Sequence, residues 1–112
     1  MPTLARDGKI LDRIRKIFAL SESDLATLLG VQRQSLSGWR EHGVPASRRA
    51  GIERLDDLAR VFYEEVIPTR IPQIVRTKDS WLGDRTILEI IRNDGPEAIY
   101  RYLSRLFSYN AA

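Results

Sequence analysis

Between residues 10 and 18 the apolar side chains Ile10, Leu11, Ile14, Ile17 and Phe18 recur at three- and four-residue steps. Lys9, Asp12, Arg13, Arg15 and Lys16 fill the gaps, so the spacing predicts an amphipathic helix. Ser21 followed three residues later by Asp24 is a capping-box pattern, in which each side chain can satisfy a free backbone N–H of a new helix. That second helix runs through Leu25, Ala26, Leu28 and Leu29 to Gly30, which enters a left-handed turn without steric penalty. A third helix follows with Val31, Leu36 and Trp39 as its apolar positions, and Gly43 to Pro45 ends it, because the residue before a proline disfavours helix.

Ile52, Leu55, Leu58, Ala59, Phe62 and Val66 mark a long fourth helix. Asp56, Asp57, Glu64 and Glu65 fall off its apolar stripe and read as a solvated face rather than as paired catalytic carboxylates. From Pro68 to Gly83 the pattern loosens into a loop or short irregular helix. Ile87, Leu88, Ile90 and Ile91 form another short helix, and "NDGPE" closes it and opens a final one, with Pro96 in the first turn. Ile99, Tyr102, Leu103, Leu106 and Phe107 give that last helix a single stripe, ahead of a frayed "SYNAA" end. No segment alternates with a period of two, so the expected class is all-α.

Length and composition narrow the function more than the fold. A chain of 112 residues, 43% hydrophobic and 29% charged, suits one compact domain or two very small ones sharing a core. With no cysteine there is no disulfide framework, thiolate metal site or cysteine nucleophile. The single histidine, His42, has no serine and aspartate placed to complete a triad, and no glycine-rich phosphate loop or metal-ligand cluster is present. A non-enzyme without metal or cofactor is therefore expected. The first residues hold neither an apolar leader segment nor a membrane span, which gives the expectation of a cytoplasmic protein. Residues 1–55 carry ten Lys and Arg against six Asp and Glu, whereas the remainder carries eight against nine, so an anionic partner fits the first half alone.

Within that basic half, Gln32, Arg33, Gln34, Ser35, Ser37 and Arg40 lie outside the packed stripe of the third helix. Glutamine can pair with adenine N6 and N7, arginine with guanine O6 and N7, and serine can bind phosphate. The stretch "LATLLGVQRQSLSGWREHGVP" resembles the Xre and phage-repressor type of helix-turn-helix. By that resemblance Arg33, Gln34 and Ser37 read bases of operator DNA, and Gln32, Ser35 and Arg40 contact phosphate. Two departures stand out: Gln32 occupies a position where a Ser or Thr cap is usual, and Gly38 lies inside the helix. Arg48 and Arg49 form either a phosphate clamp or a solvated helix start.

The remaining 45 or so residues need a purpose of their own. The stretch "RTKDSWLGDRTILEIIRNDGPEAIYRYLSRLF" resembles the C-terminal toxin-binding domain of Xre/MbcA/ParS antitoxins, through Trp81, Leu82 and Gly83, then Thr86 to Ile91, Gly95, and Ile99 to Phe107. That resemblance implies a helix-turn-helix bundle over residues 1–66 and a small helical toxin-binding and dimerisation region over 67–112. It implies a type II antitoxin that covers the active-site cleft of a RES-domain, NAD-consuming toxin with its C-terminal segment and represses its own operon, as a homodimer within a larger complex. Arg101, Arg105, Phe107, Tyr109 and Asn110 are the toxin-contact candidates. The sequence departs from the antitoxin pattern in having Ile87 where proline is common and in lacking a glycine after the terminal helix. The alternative is a plain transcriptional repressor whose C-terminal half is only a dimer interface.

Overall fold

The computed structural model describes the backbone of residues 2–110 and the side chains of residues 6–107. It is all-α: α1 (Pro2–Phe18), α2 (Glu22–Leu29), α3 (Arg33–His42), α4 (Ala46–Glu65), α5 (Ile71–Arg76), α6 (Ile87–Asp94), α7 (Glu97–Tyr100) and α8 (Leu103–Asn110). Two 3₁₀ turns, Pro68–Arg70 and Ser80–Leu82, flank α5, where the sequence predicts an irregular stretch. An isolated antiparallel bridge pairs Asp79 with Arg85.

Local signals account for most of these boundaries. The Ser21 hydroxyl accepts from the Asp24 N–H at 3.0 Å while the Asp24 carboxylate accepts from the Ser21 N–H at 3.1 Å, so both halves of the capping box form. Gly30 takes φ 69°, and its N–H and that of Val31 close the last turn of α2 onto the carbonyls of Thr27 and Ala26. Arg76 of α5 donates to the carbonyls of Phe18 and Ala19 at 2.8 and 2.7 Å. A cation at that place satisfies the exposed carbonyl end of α1 and joins the two halves of the chain.

A single apolar cluster runs through both halves. α1 packs along α4 and touches α3 and α5, and α2 packs on α6. Phe18, Leu25, Leu36 and Phe62 belong to the same cluster as Ile71, Ile87, Ile90 and Ile99. Regions 1–66 and 67–112 thus share one core. Phe62 sits at the join, edge-to-face with Phe18 at 5.8 Å and with Phe107 at 5.7 Å.

Two expectations are corrected. Asp56 is not on a solvated face: it is 4% exposed, and the Arg13 guanidinium donates to both its oxygens at 2.7 Å. A buried carboxylate is tolerable when a bidentate cation meets it. The final helix is not continuous either. The Tyr102 N–H bonds the Ile99 carbonyl, three residues back, at 2.8 Å, which tightens the chain and separates α7 from α8. Leu103 is buried in the core and Phe107 packs partly buried against it.

Candidate functional site

α3 buries Leu36 and Trp39 and packs on α1 and α2. Those two anchors leave Gln32, Arg33, Gln34 and Ser37 exposed, while Ser35 is half-buried. Arg33, Gln34 and Ser37 stand at helical three- and four-residue spacing, so the three base-reading candidates share one face at the start of the helix. Gln32 caps the helix with extended backbone but no side-chain hydrogen bond. The first turn of α3 therefore offers polar side chains together with the positive end of a helix dipole, a combination suited to phosphate and base edges. Glu41 is exposed near the other end of α3.

Arg40 lies elsewhere. Its Nε and Nη2 donate to the two carboxylate oxygens of Glu22 at 3.0 Å, and its Nη1 donates to Asp12 at 2.9 Å. The guanidinium holds Glu22 below the usual carboxylate range. Arg40 thus ties α3 to α2 and α1, and its charge is met inside the protein. The basic pair at the start of α4 is similarly committed. Arg49 reaches Asp7, which is 1% exposed, through two bonds of 2.8 and 3.0 Å, and Arg48 donates to the Leu29 carbonyl at 3.0 Å. His42 is an exposed residue at the end of α3.

The positioning acids Asp7, Asp12 and Glu22 carry no signal in the sequence, because partners 18 to 42 residues apart leave no periodic trace. Gly38, by contrast, has a visible consequence. A Cβ built there meets nothing within 4 Å, so packing does not require the glycine. Gly38→Ala is expected to raise the free energy of unfolding by about 1 kcal/mol in urea denaturation, the helix-propensity difference between the two residues. A destabilised variant would mean that the helix needs its glycine.

The C-terminal candidates separate. Arg101 is exposed at the break between α7 and α8. Arg105 places its guanidinium 3.5 Å from the centroid of the Trp81 ring, a cation–π contact, and Trp81 is 57% exposed. Asp79 fixes the turn beneath Trp81 by accepting from the Trp81 N–H at 2.8 Å, so the indole is held on a defined turn. Phe107 packs against the core instead of extending as an anchor, and the side chains of Tyr109 and Asn110 lie outside the described ones. Beside this surface is an open groove of about 370 Å³, lined by residues that include Arg70, Ile74, Thr77 and Leu106.

Among the described residues no group of three or more acidic or histidine side chains is placed to hold a metal ion, and no helix is long and apolar enough to cross a membrane. No family model, curated protein or solved structure matches the chain.

Proposed function

We propose that this protein is a type II antitoxin with two working surfaces. The segment α2–α3 acts as a helix-turn-helix that binds operator DNA and represses the protein's own operon. The C-terminal region binds a RES-domain toxin and covers its active-site cleft, which places the complex in the cytoplasm. The observation that carries the DNA reading is the exposed Arg33, Gln34 and Ser37 face of α3, held rigid by Leu36, Trp39 and the Arg40 ion pairs. The toxin reading rests on the resemblance of residues 76–107, and is supported by the exposed Trp81 with Arg105 over its ring and by the exposed Arg101. Aromatic and arginine side chains at such positions are the usual energetic anchors of protein interfaces.

Binding to the promoter region of its own gene tests the first surface. Arg33→Ala is expected to weaken that binding by about 1–3 kcal/mol and to relax sequence preference at one base pair. Unchanged affinity and unchanged preference would remove Arg33 from the site. Removal of residues 108–112, or Arg101→Glu, tests the second surface: toxin neutralisation falls while operator binding stays at the wild-type level. The repressor reading draws support from Phe107, which the core uses for packing. It predicts that neither change affects any toxin.

A further inference from the structure

The ends of α2 and α6 meet the start of α4 around an open groove of about 280 Å³, and the charged side chains that line it are all cations: Arg48, Arg54 and Arg92. Arg54 pairs with Glu97 of α7. Arg48 donates to the Leu29 carbonyl, a neutral partner that leaves its charge unmatched, and Arg92 is exposed in the last turn of α6. Among the described residues neither Arg48 nor Arg92 forms an ion pair. Asp24 and Glu89 line the neighbouring groove that Arg92 also borders, and each accepts a backbone N–H at the start of its own helix.

Other features of the groove point to an anion. α4 begins here without a side-chain cap, and Ser47 of its first turn adds a hydroxyl. The carbonyls that end α2 are already taken: those of Ala26 and Thr27 by the N–H groups of Val31 and Gly30, and that of Leu29 by Arg48. The groove also borders the DNA-reading helix. Four residues separate Leu29 from Arg33, at most about 14 Å of chain, while a major groove about 12 Å wide keeps backbone phosphates close to the bases read inside it. The exposed aromatic side chains Tyr63, Trp81 and Tyr100 are absent from the lining, so the groove lacks the anchors of a protein interface.

We propose that this groove receives a backbone phosphate of the DNA that α3 reads, with Arg48 and Arg92 as the two cations that meet it. The inference rests on the DNA reading above and extends it. Arg92 belongs to the C-terminal region, so the DNA interface spans both halves of the chain. A phosphate contact holds the duplex without reading its sequence, so these arginines supply affinity where Arg33 supplies preference.

Fluorescence anisotropy of the full chain with two labelled duplexes, its own promoter region and a scrambled sequence of equal length, provides the test across about 50 to 200 mM salt. Arg92→Gln should weaken binding to both duplexes several-fold and by the same factor, and should reduce the slope of log K against log salt by about one. Arg48→Gln should do the same, and Glu97→Gln, which releases Arg54, should strengthen binding to both. Arg33→Ala should instead lower the preference for the promoter over the scrambled duplex. Circular dichroism of each variant separates lost contacts from lost fold. Folded Arg92→Gln protein with wild-type affinity and an unchanged salt slope, beside an Arg33→Ala protein that loses preference, would overturn the groove and leave the DNA reading standing. A wild type that binds neither duplex would overturn both. If Arg92→Gln binds DNA normally but weakens the complex with the product of the adjacent gene, the arginine serves a protein partner and the proposal fails.

Discussion

Phe62→Ala is expected to lower the free energy of unfolding by about 3–5 kcal/mol, the range for emptying a fully buried aromatic site. The ring is completely buried and touches Phe18 of α1 and Phe107 of α8 edge-to-face. Its loss removes the contact through which the two halves share a core, and a domain of this size is stable by only about 5–15 kcal/mol in total. The two tryptophans report the halves separately, since Trp39 lies in α3 and Trp81 in the turn before α6. Single-tryptophan versions, Trp39→Phe and Trp81→Phe, should give coincident urea transitions if the core is one cooperative unit. Two separated transitions in otherwise wild-type protein would show that the halves fold independently.

Asp7→Ala is the second large expected loss. Asp7 accepts the Val44 N–H at 2.8 Å and both Arg49 bonds, so it fastens α1 to the loop that leads from α3 into α4. Leaving the Val44 N–H buried without a partner costs about 1–3 kcal/mol by itself, and the stranded guanidinium adds to it. The pH dependence follows from the same geometry. The Arg49 hydrogen bonds, and then the Val44 N–H, hold the Asp7 carboxyl below its ordinary value of 3.8. A depressed carboxyl pKa means that the unfolded chain takes up the proton first. The stabilisation is therefore complete above the unfolded value and is lost as pH falls through the lower folded one. Wild-type stability should drop below about pH 4, and the Asp7→Ala variant should show a smaller drop over that window. Parallel curves would contradict this role for Asp7.

The parts of the fold that were legible in the sequence are those set by neighbours in the chain. Ser21 and Asp24 announce α2, Gly30 its end, and the stripes of Leu36 with Trp39 and of Ile52 to Phe62 the packed faces of α3 and α4. The same four-residue signal stands at Thr86 and Glu89, where a second capping box opens α6. Charge pairing was not legible. Asp56 reads as solvated because nothing near it in sequence reveals Arg13, 43 residues away. Arg40 has the chemistry of a phosphate contact, yet Glu22 and Asp12 converge on it only once three helices have packed. The break at Arg101 and Tyr102 contains neither glycine nor proline, so the stripe from Ile99 to Phe107 passes through it as though the helix continued. For the site, the exposed face of α3 follows directly from the burial of Leu36 and Trp39. The stacking of Arg105 on Trp81 joins two elements that sequence alone does not bring together.

Growth of cells expressing the product of the gene next to this chain's own, with and without this chain, tests the antitoxin proposal most directly. The account predicts arrest by the neighbour alone, full growth when both are made, and a stable complex of the two on purification. Continued arrest with both proteins folded and present at comparable levels would contradict it.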